Sequence, residues 1–115
     1  MTLRQKQSAF VRLVARLIQE AERQGFELTF GETWRSPEEA ARHAIAGTGI
    51  AQSLHTSRLA IDLNLFRNGR YLPSTEAHRP LGEWWEMQST AAYTCCWGGR
   101  FGDGGHYSLA HGGRK

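Results

Sequence analysis

One carboxylate in this chain stands where a carboxylate is costly. In Leu59-Ala60-Ile61-Asp62-Leu63-Asn64-Leu65-Phe66 the large aliphatics recur at every second position, which is the pattern of a strand with one greasy face. Leu59, Ile61, Leu63 and Leu65 share that face, and Asp62 lies on the other with Ala60, Asn64 and Phe66. An ionised side chain inside so apolar a segment needs a neutralising partner, either a metal ion or an arginine. His55 stands seven residues earlier, an odd separation that would put it on the opposite face from Asp62 in one regular strand. The polar segment Ser53-Leu54-His55-Thr56-Ser57-Arg58 is therefore expected to form a loop or bulge that swings His55 back over Asp62. Further on, Asp103 precedes His106 by three residues in a glycine-rich stretch. Each residue also has an ordinary reading alone: Asp62 in a salt bridge, His55 solvated, Asp103-Gly104 as a turn. A serine or cysteine nucleophile would need a partnered base, and no such pairing is visible.

The elements that must position these residues follow from periodicity and punctuation. Phe10, Leu13, Val14, Leu17, Ile18 and Ala21 recur at helical spacing, with Gly25 at the expected cap, so residues 3 to 24 are predicted to be helix. Phe26, Leu28 and Phe30 alternate with polar residues as a short half-buried strand ending at Gly31. Ser36-Pro37-Glu38-Glu39 combines a cap serine, a proline at the first helical position and a glutamate three residues after the cap. That helix is expected to stop at Gly47, before a loop Gly47-Thr48-Gly49-Ile50. The Asp62 strand runs into Asn68-Gly69, a tight hairpin signal. Pro80 is expected to open another helix carrying Leu81, Trp84, Trp85, Gln88, Ala91 and Ala92 on one face, with at least one tryptophan in the core. Trp97 to Gly105 reads as a glycine-rich loop and His106-Tyr107-Ser108-Leu109 as a closing strand. His43, His78 and His111 are expected to face solvent. This order predicts a single α+β domain over residues 1–115, a small antiparallel sheet with helices packed on one side.

Composition narrows the class without choosing a function. Hydrophobic residues make up 40% and charged residues 22% of the 115 positions, a globular balance that excludes a largely disordered chain. The formal charge of +3 suits an anionic partner such as nucleic acid or a cell envelope. The basic residues form no Lys/Arg-rich run, and no nucleic-acid-reading motif is present. Cys95 and Cys96 are adjacent, so a bridge between them would be strained and a reduced protein is expected. Arg4, Lys6, Arg12 and Arg16 interrupt any signal-peptide core or membrane span near the N-terminus.

The combination Ser53-x-His55, Ala60-x-Asp62 and Asp103-x-x-His106 after Trp97-Gly98-Gly99, with Arg35-Ser36 upstream, resembles the zinc metallopeptidases that include D-alanyl-D-alanine carboxypeptidases and L-alanyl-D-glutamate endopeptidases. The family's first motif has glycine where this chain has Arg58. The resemblance covers residues 34 to 107 and implies the fold shared by hedgehog signalling domains and these peptidases. It further implies that His55, Asp62 and His106 bind one zinc ion, that Asp103 is the general base, and that Arg35 steadies the substrate carbonyl oxygen, with Ser53 ordering the loop beside the substrate. Two imidazoles and a carboxylate are a usual zinc set, and they leave a fourth position for water. Gly104-Gly105 would permit the bend that brings Asp103 beside such a site. The implied partner is the peptidoglycan stem peptide, met by a monomer that neither inserts into membranes nor binds nucleic acid. Members without a signal peptide resemble phage endolysins, made in the cytoplasm and released to the wall through a holin. Two other readings keep the metal: removal of a terminal D-Ala, and a non-catalytic zinc-stabilised binding module, against which Asp103 argues.

Overall fold

In the computed structural model, which describes residues 1–46 and 53–115, the first helix spans Leu3–Arg23 (α1). Thr2 and Gln5 close a reciprocal capping box at its start. At its end Gly25 takes φ 85°, and the Phe26 and Gly25 amides donate to the Ala21 and Glu22 carbonyls, a Schellman ending. Glu27–Phe30 forms β1, and Pro37–Ile45 forms α2 with Ser36 as its cap. Helix α2 closes on Ala46, while the expected stop at Gly47 and the loop Gly47–Ile50 lie outside the described residues. Strand β2 covers Ala60–Arg67 and turns through Asn68 and Gly69, both at positive φ, into β3, Arg70–Tyr71. Paired left-handed residues match the right-handed twist of a two-residue hairpin.

The next helix begins earlier than its proline suggests. It runs Thr75–Met87 (α3), because the Ser74 hydroxyl accepts the Ala77 amide and caps it there, leaving Pro80 inside. Gln88 closes it, so Ala91 and Ala92 are not helical. Strand β4, Cys95–Trp97, was not expected from sequence, and β5, His106–Leu109, was. The antiparallel sheet runs β1-β2-β5-β4, with β3 paired to β2.

Strand β2 is the centre of this sheet, and its alternation divides the molecule. Ile61, Leu63 and Leu65 join Phe10, Leu13 and Leu17 of α1, Leu81 and Trp85 of α3, and Tyr107 and Leu109 of β5 in one core. Trp85 is fully buried and its indole N–H donates to the Ser108 carbonyl, while Trp84 packs half-buried against the same core. Asp62 is left on the opposite face of the sheet, where the expected strand pattern put it.

Of the three remaining histidines, expected to face solvent, His43 and His111 are partly exposed and His78 is buried. His43 is half-buried against Glu39 at 2.8 Å, and His111 Nδ1 lies 3.2 Å from the Lys6 ammonium. His78 is only 3% exposed, with Nδ1 2.9 Å from the Tyr107 hydroxyl, because α3 starts early enough to carry it under the sheet. Burial pushes the His78 imidazole below its ordinary value. The unfolded chain then binds more protons than the folded one as pH falls through about 6.5. The stability His78 contributes is thus present above that pH and lost below it, down to the depressed folded value. Urea denaturation between pH 5 and 8 is expected to show this slope for the wild type and a shallower one for His78→Gln. Parallel slopes would exclude His78 as their source.

Candidate metal centre

Three separate elements bring His55, Asp62 and His106 together. His55 sits in a 3-10 turn, Leu54–Ser57, whose start is capped by the Ser53 hydroxyl accepting the His55 amide at 3.2 Å. Leu54 anchors the turn in the core, and Gln7 of α1 donates to the Ser57 carbonyl at 2.8 Å. The turn ends at Arg58, which takes φ 57°. This left-handed conformation, which glycine adopts freely, costs Arg58 about 1–2 kcal/mol in steric strain. Its guanidinium lies 4.7 Å from the Trp34 ring centroid, a cation–π contact that offsets part of that cost. The expected loop reversal is therefore present, built as a turn of 3-10 helix.

Register supplies the other two residues. Asp62 and His106 are direct partners across the β2–β5 ladder and share a face. Gly98 packs against the His106 Cβ and the Asp103 carbonyl, leaving no room for a side chain. Gly98→Ala is expected to cost about 1–3 kcal/mol by overpacking and to weaken metal binding with it. Chemical denaturation checks the first and chelator competition the second, and a variant matching wild type in both would contradict the packing.

The donor atoms have the spacing of metal ligands. His55 Nε2 and His106 Nδ1 each lie 3.4 Å from Asp62 Oδ1, and the three donor atoms fall within 4.8 Å of one another. Charge-assisted N–H···O bonds run to about 2.7–2.9 Å, so 3.4 Å is long for a direct contact. It equals the edge, about 3.3–3.4 Å, of a tetrahedron with bonds of about 2.0–2.1 Å to a central zinc. Asp62 Oδ1 is buried without a hydrogen-bond partner among the described residues. Burial pushes the Asp62 carboxyl up, but His106 and His55 outweigh it and hold the group well below the usual carboxylate range. An ionised, unpartnered oxygen between two imidazoles fits a divalent cation.

Asp103 stands at the rim. Its amide donates to the Gly98 carbonyl at 2.8 Å and its own carbonyl accepts the His106 amide at 3.1 Å, closing the turn before β5. The left-handed residue of that turn is Gly102, at φ 82°, and not the Gly104-Gly105 pair. Those two glycines instead admit the Thr75 and Leu63 backbones at close range. The Asp103 side chain remains exposed, and its carboxyl is pushed up by partial desolvation, with His106 and His55 pulling it down and Asp62 pushing it up. Those influences place the carboxyl in the field of all three candidate ligands.

A sequence model of a family described as D-alanyl-D-alanine carboxypeptidase matches residues 46–109, more than half of the chain. The chain belongs to this peptidase family. No individual curated protein matches it.

Within this peptidase, the matched span contains all three candidate ligands and Asp103, whereas Arg35 lies upstream. One Arg35 terminal nitrogen is ion-paired to Glu32 Oε1 at 2.6 Å, and the side chain is only 13% exposed. Glu32 is the site residue that sequence reasoning missed. Its carboxylate approaches His55 Nδ1 at 3.6 Å. The only sequence signal was an acid three residues before Arg35, a spacing too common to single it out. No helix among the described residues is long and apolar enough to cross a membrane.

Proposed function

We propose that this peptidase uses one zinc ion, held by His55, Asp62 and His106, to hydrolyse an amide bond in the peptidoglycan stem peptide, between L-Ala and D-Glu. The observation that carries the zinc reading is the pair of 3.4 Å distances converging on a buried, unpartnered carboxylate oxygen. Zinc held there supplies Lewis-acid polarisation of a carbonyl and lowers the pKa of water to about 7.

The remaining steps belong to the chain. Asp103 is exposed, with its carboxyl raised by desolvation and in the field of His106, Asp62 and His55. It accepts a proton as water attacks the scissile carbonyl carbon, then returns that proton to the departing amine nitrogen as the C–N bond breaks. Arg35 retains N–H donors beyond the one given to Glu32 and offers them to the carbonyl oxygen as negative charge develops there. Ser53 acts through the His55 turn that it caps.

Arg35 also bears on which bond is cut. An enzyme that trims a terminal residue needs a cation for the free carboxylate, and the Arg35 charge is already balanced by Glu32. A neutralised pair still donates to a carbonyl, which favours an internal bond. The family's description supports the second reading, removal of terminal D-Ala through the same site. Mass spectrometry of digested peptidoglycan separates them: new N-terminal D-Glu supports the endopeptidase, and loss of D-Ala alone would replace it with the carboxypeptidase.

A further inference from the structure

Regular alternation would send the Glu32 side chain to the wrong side of the sheet. Phe30 pairs with Leu63 on the core face, so an unbroken β1 would put Gly31 on the Asp62 face and Glu32 back on the core face. The chain instead sets two residues against one. The Gly31 amide donates to the Asp62 carbonyl and the Asp62 amide donates to the Glu32 carbonyl, both at 2.8 Å. This is the pairing of a β-bulge, which re-aims the side chain that follows it. Gly31 permits the approach, since a Cβ there would meet the Asp62 carbonyl oxygen at 3.0 Å.

The re-aimed Glu32 meets the back of a ligand. Its Oε1 lies 3.6 Å from His55 Nδ1, and that nitrogen is buried with no hydrogen-bond partner among the described residues. Arg35 fixes the same oxygen from the other side at 2.6 Å, and the Arg35 amide donates to the His55 carbonyl at 3.3 Å. A neutral imidazole carries one donor and one acceptor nitrogen. Since Nε2 faces Asp62 at 3.4 Å, the proton belongs on Nδ1, and Glu32 Oε1 is the acceptor that faces it.

We propose that Glu32 is a positioning residue for the metal centre: its carboxylate, held by Arg35, closes from 3.6 Å onto the Nδ1–H of His55 when the ion binds, and so presents Nε2 to it. This rests on the zinc reading above. It gives Arg35 a second task, and it explains why Gly31 through Arg35 hugs both β2 and the His55 turn.

The test is zinc affinity of the metal-free full chain, read by competition with a chromophoric chelator. Glu32→Ala is expected to bind zinc about 10–100-fold more weakly, and Glu32→Gln, which keeps an acceptor oxygen without the charge, to fall between it and wild type. Thermal unfolding of the metal-free proteins separates this loss from a general loss of fold. Affinity of Glu32→Ala within twofold of wild type would overturn the proposal. Should that variant not fold, nitrogen-15 correlation spectra of the wild-type histidines decide: a metal-free His55 protonated at Nδ1 is expected, and one protonated at Nε2 overturns it. Wild type that binds no zinc would instead sink the zinc reading itself.

Discussion

Asp103→Ala is expected to keep its zinc and to hydrolyse purified peptidoglycan on the order of 10²–10⁴-fold more slowly. The two halves of that result have separate causes. Asp103 donates no side-chain atom to the His55, Asp62 and His106 group, so removing its carboxylate leaves the donor set whole. What disappears is the proton acceptor, whose carboxyl is raised first by desolvation and lies within reach of the fields of His106, Asp62 and His55. The backbone that Asp103 contributes to the turn is unchanged by the substitution, since its amide and carbonyl make the bonds to Gly98 and His106. Zinc content measured beside initial rates checks both halves at once. A variant that retains wild-type rates would remove Asp103 from proton transfer, and one that loses zinc would make it a ligand.

Asp62→Ala is expected to lose more zinc affinity than the roughly 10–100-fold that disturbing a ligand's outer partner costs, and all hydrolysis with it. Asp62 Oδ1 is the atom both imidazoles share, each at 3.4 Å, so its loss leaves two histidines with no common anion. The fold should survive, because the Asp62 backbone bonds to Gly31 and Glu32 do not depend on its side chain. X-ray absorption at the zinc edge adds a structural readout: wild type should show nitrogen and oxygen neighbours at about 2.0–2.1 Å and no sulfur at about 2.3 Å. Near-wild-type affinity in Asp62→Ala, or a sulfur shell in wild type, would move the ion elsewhere, with Cys95 and Cys96 the first place to look. Burial pushes the Cys95 thiol up to about 12, away from the thiolate that metals require.

Local patterning made much of this legible in advance. The greasy alternation around Asp62, the Gly25 and Ser36 caps and the Asn68-Gly69 turn each depend on a few neighbouring residues, and each appears as expected. The reversal that returns His55 was legible only as a necessity of parity, and its form, a 3-10 turn ending on a left-handed Arg58, was not. What escaped depends on long-range pairing. Placing His106 opposite Asp62 is a fact of β2–β5 register across more than forty residues of chain. Three-residue β4 is held by its ladder to β5 and by packing on α3, which no propensity of Cys95-Cys96-Trp97 announces. The start of α3 turned on two competing local signals, and the Ser74 cap prevailed over Pro80. Glu32 was hidden because a bulge reverses the side that alternation assigns to it.

Metal-free protein titrated with zinc, while stem-peptide fragments released from purified peptidoglycan are counted by mass spectrometry, reports on the site and its chemistry together. If His55, Asp62 and His106 hold the ion that drives hydrolysis, fragment release rises with added zinc and levels off at one ion per chain. Release that proceeds in the absence of zinc, or none at full loading, would contradict it.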